Sequence, residues 1–300
     1  MAEEMIGFVG LGVMGEPICR NVAARSGRRV VAFDVRAEPL ARLAAAGVRA
    51  ASRLAEVAAA GTILLSLPGG AEVESVVLGE AGLIRHLRPG HTVIDLSTCP
   101  VALARRIGER LAERGVAFAD APVARTRQAA IEGTLSIMVG ADATTFQRIR
   151  PVLETAASEI THCGAIGAGQ VVKLMNNMVL FQTVVALAEA LSIGRAAGVD
   201  GRVLFETLAK GSADSFALRN HGLKALLPGD FPESAFATDY AIKDVSYALE
   251  LAGETGVPAE GAALARRILE RSSAAGNGAA YFPALIRVIA RSFERGEGIG

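Results

Sequence analysis

The sequence contains no tryptophan, and aromatic residues make up only 5% of its 300 positions. Such a shortage of rings argues against the aromatic platforms on which proteins stack nucleic-acid bases. Its 31 basic residues are balanced by 31 acidic ones, so no overall field attracts a nucleic acid or an acidic membrane surface. Neither a nucleic acid nor a membrane is therefore expected as a partner.

Cysteine and histidine are too few and too scattered to suggest a metal or disulfide site. Cys19, Cys99 and Cys163 are odd in number and widely spaced, which matches neither a disulfide framework nor a zinc motif. The histidines lack metal-like spacing and a visible carboxylate partner, and we interpret all four as structural or exposed: His86, His91, His162 and His221. The sequence predicts no metal site.

Long apolar runs are also missing, although hydrophobic residues make up 51% of the chain. The longest candidate, residues 174–188, includes Asn176, Asn177 and Gln182 and is short for a membrane span. A buried helix is the better interpretation. No charged leader with an apolar core precedes the first motif, so a cytoplasmic location is expected.

What the first half of the chain does contain is a regular alternation of short β-type runs and helical stretches. The β-type runs are residues 5–9, 29–34, 62–67, 92–96, 116–119 and 135–139, with a last one at 159–162. This alternation predicts a mostly parallel sheet covered by helices on both faces. Beyond it the pattern predicts one long helix over residues 170–197 and then helical segments only.

The opening glycine motif predicts a dinucleotide-binding loop. The sequence GFVGLGVMG places Gly10, Gly12 and Gly15 at G-x-G-x-x-G spacing, after an apolar strand and at the start of a helix. We expect Gly10 to make the tight turn, Gly12 to admit the pyrophosphate, and Gly15 to let helix and strand pack closely. The N-terminus of the helix adds unpaired N–H groups and a partial positive charge for the phosphates.

An acidic residue at the end of the second strand completes this fingerprint. Asp34 stands where an acid should meet the adenosine ribose hydroxyls, and its charge would repel a 2′-phosphate, so NAD is favoured over NADP. Arg36 either stays solvated or partly rescues NADP, and a glycine-rich turn with an unrelated Asp is the alternative to the whole motif. The coenzyme contacts predicted here are Gly10, Leu11, Gly12, Val13, Met14, Gly15 and Asp34.

These features together predict the fold class and the domains. We expect an α/β Rossmann domain with a mostly parallel, doubly wound sheet over residues 1–165. An all-α domain, built on the long interdomain helix, is expected over residues 166–300. The boundary is placed where the strand–helix alternation ends.

A second candidate site lies at the start of the long helix, in the sequence GAIGAGQVVKLMNN. Lys173, Asn176 and Asn177 share one helical face, because residues three and four apart are neighbours. A polar face on an otherwise apolar helix is costly unless it lines a pocket or finds partners. Burial and the positive helix end would make the Lys173 proton easier to release. The alternative is a lysine that reaches solvent from a domain boundary, beside asparagines bonded to backbone.

In these segments the chain resembles the β-hydroxyacid dehydrogenase family, which includes 3-hydroxyisobutyrate dehydrogenase and tartronate semialdehyde reductase. The matching motifs are GFVGLGVMGEP, DAPV with GTLSIMVGA, GAIGAGQVVKLMNN and KDVSYALE. The resemblance implies a catalytic lysine at Lys173, an orienting asparagine at Asn177 with Asn176 beside it, and Lys243 near nicotinamide and substrate. It also implies that Leu67 and Pro68 of LPGG and Thr98 of DLSTCP meet the nicotinamide half of NAD. A homodimer or homotetramer formed through the helical domain is implied as well.

The substrate loop departs from the usual family pattern. After DAPV the family continues as Ser-Gly-Gly, whereas this chain has Ala124, Arg125 and Thr126. The loop is instead similar to that of sulfolactaldehyde reductases, which read Gly-Arg-Thr and contact the substrate sulfonate through the arginine. A guanidinium fork suits a tetrahedral anion with three acceptor oxygens. Ala124, Arg125 and Thr126 are therefore predicted to contact the substrate, with Arg125 and Thr126 holding its anion. The Arg125 guanidinium and the Lys173 amine are expected to converge on one cleft beside the nicotinamide. Arg125 pointing to solvent, or holding a carboxylate or phosphate, is the alternative.

The expected activity is therefore NAD-dependent hydride transfer between nicotinamide and a short anionic aldehyde or 3-hydroxy acid, with 3-sulfolactaldehyde as the specific candidate. The alternatives are a 3-hydroxyisobutyrate, tartronate semialdehyde or 4-hydroxybutyrate dehydrogenase, and, in another class, a protein that binds NAD without turnover. An imine reductase is disfavoured by Lys173. Arg127 is expected at the surface, and residues 211–216 either cap a helix or face the pocket.

Overall fold

The structure is a computed structural model and describes residues 5–233 and 235–294. These residues divide into two compact units, and the division falls between Lys173 and Leu174, inside the longest helix. Each unit has an apolar core of its own, so each is described by itself.

The first unit is built on a nine-stranded sheet. Its strands are, in chain order, β1 Ile6–Val9, β2 Val30–Phe33, β3 Arg49–Ala50, β4 Thr62–Leu65, β5 Thr92–Asp95, β6 Ala117–Asp120, β7 Val123–Ala124, β8 Leu135–Gly140 and β9 Ala157–Gly164. Seven of these correspond to runs predicted from the sequence. The pairs of residues that form β3 and β7 were not predicted, because two residues are too few to show a period.

The strand order is that of a doubly wound sheet. Strands β3, β2, β1, β4, β5 and β6 lie side by side and parallel. Strand β8 runs antiparallel to them and pairs with both β6 and β7, and β9 pairs with the opposite edge of β8. The expectation of a mostly parallel sheet is confirmed. The parallel strands end at one edge, where ligands bind in folds of this kind.

Helices cover both faces of the sheet, as the alternation predicts. They are α1 Gly15–Arg25, α2 Ala37–Ala44, α3 Leu54–Val57, α4 Gly70–Leu78, α5 Val101–Ala112, α6 Arg127–Glu132 and α7 Ala143–Leu153, with a 3₁₀ turn at Leu83–Arg85. In β4, Leu64 belongs to the core on one face, while Ile63 and Leu65 belong to the core on the other. Burial on both faces explains why these strands read as continuous apolar runs.

The second unit is helical. It consists of the later part of α8 Ala168–Ala196, followed by α9 Gly201–Leu208, α10 Thr238–Thr255, α11 Glu260–Ser272 and α12 Ile286–Glu294, with π-type segments at Leu218–Leu226 and Ser273–Asn277 and a 3₁₀ segment at Phe282–Leu285. Its core contains the fully buried Phe181, Phe205 and Phe282. One isolated β-bridge joins Ala237 and Tyr281. The all-α prediction is thus confirmed for the residues that the structure describes.

Helix α8 begins in the first unit and explains where the units separate. The sequence places the domain boundary at residue 165, whereas the compact units divide after Lys173. The first turn of α8 stays with the sheet because Asp120, at the end of β6, accepts hydrogen bonds from Gly167 and Gln170. By length and composition α8 would also meet the requirement for a membrane span. A core helix meets the same requirement, and Phe181 of α8 is fully buried.

Candidate active site

The turn after β1 is restricted to glycine at two positions for steric reasons. Gly10 has φ 91°, in the left-handed region, and a Cβ there would collide with the carbonyl oxygen of Ser66. A Cβ on Gly15 would collide with the carbonyl oxygen of Gly10. At Gly12 an added Cβ would meet no atom within 4 Å, so the space above it is open. The loop therefore has the tight turn, the close helix contact and the free approach that a pyrophosphate needs.

Between these glycines, the other predicted coenzyme contacts differ in exposure. Leu11 is buried in the core, Met14 is half-buried, and Val13 is 53% exposed. Met14 precedes α1 and makes no side-chain cap. The start of this 11-residue helix carries the partial positive charge that attracts an anionic phosphate.

Asp34 is fixed beside the glycine loop by its hydrogen bonds. Its Oδ2 accepts from the backbone N–H of Leu11 at 2.6 Å, and its Oδ1 accepts from the backbone N–H of Arg36 at 2.8 Å. The Arg36 side chain folds back, with Nε 3.4 Å from Oδ1 of Asp34 and Nη2 3.4 Å from the carbonyl oxygen of Leu11. A carboxylate held in this place fits ribose hydroxyls and disfavours a 2′-phosphate.

A buried polar network, which the sequence did not reveal, organises the ends of β4 and β5. The backbone N–H of Leu67 donates to Oγ of Ser97 at 2.9 Å, and the N–H of Ser97 donates to Oδ1 of Asp95 at 2.9 Å. Asp95 is fully buried, and burial raises its pKa to about 7. Thr98, which the family resemblance assigns to nicotinamide, is half-buried beside this network. The available signal was the acid of DLSTCP inside an apolar strand.

Asp120 and Gln170 attach the start of α8 to the same edge of the sheet. Asp120 accepts from the backbone N–H groups of Gly167 at 2.6 Å and Gln170 at 2.8 Å. Burial raises the pKa of Asp120 to about 6, although these N–H donors act in the opposite direction. The Gln170 side chain donates to the carbonyl oxygen of Ser97 at 2.8 Å and accepts from the N–H of Cys99 at 3.2 Å. Both positioning residues were missed from the sequence.

These contacts determine where Lys173 lies. Because Lys173 is three residues after Gln170, the two share one side of α8, at the ends of β5 and β6. Its side chain is buried, with 9% exposure for the residue. The structure therefore places a buried amine at the edge of the sheet where ligands bind in folds of this kind.

The two asparagines belong to a side-chain network of the second unit. Asn177 donates through Nδ2 to Oδ2 of Asp244 at 2.7 Å, and Asn176 donates to Oδ1 of Asn177 at 3.0 Å. Lys243 Nζ lies 3.0 Å from Oδ1 of Asp244 and forms an ion pair with it. The asparagines are thus bonded to side chains, contrary to the alternative that they bond to backbone. Asp244, only 2% exposed, links α8 to α10 and was missed from the sequence.

Aromatic rings surround the lysine of this network. Lys243 Nζ lies 5.7 Å from the ring centre of Tyr240 and 5.4 Å from that of Tyr247. The two rings and the Asp244 carboxylate hold the charged end of Lys243 in one place. The second unit therefore presents a positioned cation, an amide and a carboxylate from neighbouring helices.

The substrate loop has the least usual backbone among the residues that the structure describes. Arg125 follows β7 with φ 83°, and it is the one described non-glycine residue with positive φ. Its Nη1 donates to the carbonyl oxygen of Thr134 at 2.5 Å and to Oγ of Ser158 at 2.9 Å. Thr126 caps α6, its Oγ1 accepting from the N–H of Ala129 at 3.3 Å. Ala124 pairs with Ser136 in the sheet.

The guanidinium and the start of α8 lie towards different neighbours of β8. Ser158 belongs to β9, on one side of β8, whereas Gln170 and Asp120 hold α8 at the ends of β5 and β6, on the other side. In this conformation Arg125 does not point towards the element that carries Lys173. The predicted meeting of these two side chains therefore requires a different rotamer of Arg125.

Other polar positions singled out in the sequence have structural partners. In residues 211–216, Ser215 Oγ accepts from the N–H of Leu218 at 3.0 Å, which is a helix cap. His221 is buried and bonds to the Tyr281 hydroxyl, and burial lowers its pKa to about 4. His162 bonds to the carbonyl oxygen of Ala141. Within residues 5–233 and 235–294, no group of three or more His, Cys, Asp or Glu side chains is placed to hold a metal ion.

The fold and the glycine loop define the class of protein: a two-unit, dinucleotide-dependent oxidoreductase. Two family models cover the chain, one for the NAD-binding domain of 6-phosphogluconate dehydrogenase over residues 5–164 and one for the NAD-binding region of NADP-dependent 3-hydroxyisobutyrate dehydrogenase over residues 167–289. The chain belongs to the β-hydroxyacid dehydrogenase family, as its motifs predicted. It is an NAD-dependent dehydrogenase that acts on hydroxyl groups.

Individual relatives agree with this assignment. The chain is 37% identical to a 2-(hydroxymethyl)glutarate dehydrogenase of Eubacterium barkeri over 94% of each chain. It is 37% identical to a 3-hydroxyisobutyrate dehydrogenase of Pseudomonas aeruginosa over 79% of this chain and 78% of that protein. The solved structure of a Mycobacterium tuberculosis 3-hydroxyisobutyrate dehydrogenase with L-serine is similar, with a TM-score of 0.85 and 32% identity over 95% and 99% of the two chains.

Proposed function

We propose that the protein interconverts a short aldehyde and its alcohol whose far end carries a sulfonate, with 3-sulfolactaldehyde and 2,3-dihydroxypropane-1-sulfonate as the pair. The observation that carries this proposal is Arg125 in a left-handed backbone conformation. Such a conformation costs a non-glycine residue roughly 1–2 kcal/mol, and the usual family loop has a glycine there. A side chain retained at this cost is most simply explained by what its guanidinium binds.

The chemistry of the anion follows from the shape of a guanidinium. A planar fork of N–H donors matches two oxygens at once, and a sulfonate offers three equivalent acceptors. Both present partners of Arg125 are neutral, a carbonyl and a hydroxyl. An anionic oxygen is a stronger acceptor than either, so a substrate anion within reach would displace them.

The reacting end of the substrate is assigned to the helix residues. When bound, the coenzyme would accept a hydride at C4 of its nicotinamide as NAD in oxidation, and would donate one from the same carbon as NADH in reduction. Lys173 removes the hydroxyl proton in oxidation and returns it to the carbonyl oxygen in reduction. Asn177 and Asn176 orient the reacting or neighbouring hydroxyl, and Lys243 contacts both coenzyme and substrate. Arg125 holds the anion at the other end and so fixes the distance to the nicotinamide.

A carboxylate substrate is the alternative, because two of the relatives described above are named for carboxylic acids. If this protein were a 3-hydroxyisobutyrate, tartronate semialdehyde or 4-hydroxybutyrate dehydrogenase, Arg125 would hold the substrate carboxylate in place of the usual Ser-Gly-Gly loop. The two proposals differ in which anion, sulfonate or carboxylate, the guanidinium binds more tightly. Side-by-side kinetics on matched sulfonate and carboxylate aldehydes separate them.

The test compares wild type, Arg125→Ala and Arg125→Lys on three aldehydes of equal length, ending in sulfonate, carboxylate or a neutral hydroxyl. We expect Arg125→Ala to raise KM for the sulfonate about tenfold or more, as loss of charge-assisted hydrogen bonds worth about 1.5–3 kcal/mol predicts. The neutral aldehyde should be nearly unaffected, and Arg125→Lys should fall between. Equal and mild losses on all three aldehydes would contradict an anion-binding arginine.

We further propose a cytoplasmic homodimer or homotetramer. The support is the family resemblance together with apolar side chains that α8 and α9 leave exposed, among them Val179 at 58%, Ile193 at 68% and Val203 at 59%. A contact between copies of the chain would cover such side chains. Light scattering on the purified protein measures the subunit count, and fractionation of the source cells tests the location.

A further inference from the structure

The resting place of Arg125 is built from two strands that are not part of the reacting site. Thr134 directly precedes β8 and Ser158 lies in β9, so the arginine side chain reaches from β7 across the start of β8. The Ser158 hydroxyl, 2.9 Å from Nη1, lies 3.4 Å from the same Thr134 carbonyl that Arg125 uses. Serine, carbonyl and guanidinium therefore form one small cluster on the outer side of β8.

We propose that Ser158 is a specificity-determining residue, because it holds the Arg125 guanidinium in this resting place and thereby sets how strongly a substrate anion is bound. The inference rests on the proposed function, in which Arg125 contacts the anion. Substrate binding then exchanges one set of arginine contacts for another. The apparent affinity for the anion includes the cost of leaving Ser158.

The direction of the side chain requires such an exchange. The start of α8, which carries Lys173, is tied by Gln170 to the end of β5. Ser158 lies beyond β8 from that strand, and neighbouring strands are about 4.8 Å apart. A guanidinium bonded to Ser158 is thus directed along the sheet away from β5. It must leave Ser158 before it can hold a substrate whose other end meets Lys173.

The strength of the resting contacts is suited to exchange. Both are made through one nitrogen, Nη1, to neutral oxygens. A bidentate pair with an anion uses two nitrogens and is stronger than these contacts. A bound anion therefore displaces Thr134 and Ser158 from the guanidinium. Arg125 and Ser158 are both exposed, so the exchange involves no burial of an unpaired charge. A carboxylate in place of the serine hydroxyl would reverse this balance.

The experiment uses three variants of Ser158 in the full-length enzyme. Ser158→Glu offers Arg125 a carboxylate, and Ser158→Gln is its uncharged match in size. Ser158→Ala removes the resting acceptor. KM is measured for the sulfonate aldehyde, the carboxylate aldehyde and the neutral aldehyde at saturating NADH. Position 158 is exposed, so all three variants are expected to fold.

We expect Ser158→Glu to raise KM for both anionic aldehydes about two- to fivefold relative to Ser158→Gln, the range of an exposed ion pair, and less at high salt. Ser158→Ala should lower KM for the anions by a similar factor, because the arginine loses a competitor. KM and kcat for the neutral aldehyde should stay unchanged. In the Arg125→Ala background the Glu and Gln variants should behave alike.

Each failure has its own signature. If Arg125→Ala weakens anion binding but Ser158→Glu and Ser158→Gln have equal KM values, Ser158 does not tune the arginine and this inference is overturned while the proposed function stands. If Ser158→Ala raises KM for the anions, the serine holds Arg125 in its working position and the inference is likewise wrong. If Arg125→Ala changes no anion's KM, both proposals fail together.

Discussion

Two loops of the first unit each contain a residue in the left-handed conformation, but one residue is a closely packed glycine and the other is an exposed arginine. In the loop after β1 it is Gly10, with φ 91°, packed so closely that a Cβ would strike Ser66. In the loop after β7 it is Arg125, with φ 83°, exposed to solvent. Both loops lie at strand ends, where backbone irregularity serves ligand binding.

The difference shows which part of each residue is used. At Gly10 the backbone is the functional group, and any side chain would be excluded by contact with Ser66. At Arg125 glycine would adopt the left-handed backbone at a lower energy. We therefore infer that the arginine side chain has a function that offsets the backbone strain. The conformation of the first loop therefore follows from what any dinucleotide requires. The arginine of the second loop is a feature particular to this chain. Coenzyme binding, chemistry and substrate choice should accordingly be separable by mutation.

The largest expected effect separates chemistry from both loops. Lys173→Ala should lower kcat about 10²- to 10⁴-fold, the usual contribution of a positioned acid or base. NADH binding, followed by fluorescence titration, should stay within experimental error of wild type. Lys173→Arg is the control, because it keeps the charge but does not give up its proton. Retained turnover in Lys173→Ala would support a lysine that merely reaches solvent.

Gly10→Ala should break the coenzyme loop. The added Cβ must strike Ser66 in a conformation that already costs about 1–2 kcal/mol, so we expect NAD affinity to fall at least about tenfold and Tm to drop. Gly12→Ala is the matched control. Its Cβ meets no protein atom, so it should fold normally and yet weaken NAD, since the new methyl occupies the pyrophosphate's approach. A Gly10→Ala variant with wild-type stability would show that the loop adapts.

Asp244→Asn should misplace two groups of the second unit at once. The amide cannot pair with Lys243 as a carboxylate does, and its bond to Asn177 is weakened. We expect kcat to fall about tenfold, in line with about 1.5 kcal/mol for a bond to a charged group. In a double-mutant cycle with Asn177→Ala the losses should be less than additive. Additive losses would mean that Asp244 acts independently of Asn177.

Asp34→Ser should change coenzyme preference while leaving substrate preference alone. Removing one negative charge near a bound 2′-phosphate is worth about 1 kcal/mol in water at 4 Å, so the kcat/KM ratio of NADPH to NADH should rise about fivefold. Arg36, which now pairs with Asp34, would become available to that phosphate. The sulfonate-to-carboxylate ratio should not move. A shift in that ratio would show that the two loops are coupled.

The smallest effect isolates the strain at Arg125. Arg125→Ala and Arg125→Gly both remove the guanidinium, but only glycine relieves the left-handed backbone. We expect Arg125→Gly to be about 1 kcal/mol more stable to urea than Arg125→Ala, with the same weak anion binding in both. Equal free energies of unfolding would mean that the loop relaxes around alanine and that the arginine carries no strain.

Much of the fold could be predicted because its signals are local. The alternation of apolar runs with helical stretches predicted seven strands, and the apolar stretch with few breaks predicted α8. The exceptions were β3 and β7, which are two residues long and exist only because neighbouring strands offer free edges. Their pairing partners are distant in sequence, so no local pattern could indicate them.

The candidate site was predictable to the extent that it has a motif. Spacing predicted the glycine loop, Asp34 and the polar helical face with Lys173 and Asn177, and the family resemblance added Lys243. Neither source revealed the acids that position them, Asp120 and Asp244. A single acid in an apolar segment has no recognisable role in the sequence, because its hydrogen-bond partner is 50 or 67 positions away and approaches it only in the folded chain.

By itself, the sequence determined the fold class, the glycine turn and the family, because backbone sterics and apolar periodicity act over short stretches of chain. Only the tertiary structure decided which polar groups meet. It alone showed that Arg125 rests on Thr134 and Ser158, and that Asp244 joins Asn177 to Lys243. The physical reason is that hydrogen bonds and ion pairs depend on distances of a few ångströms, which are created only when remote segments pack together.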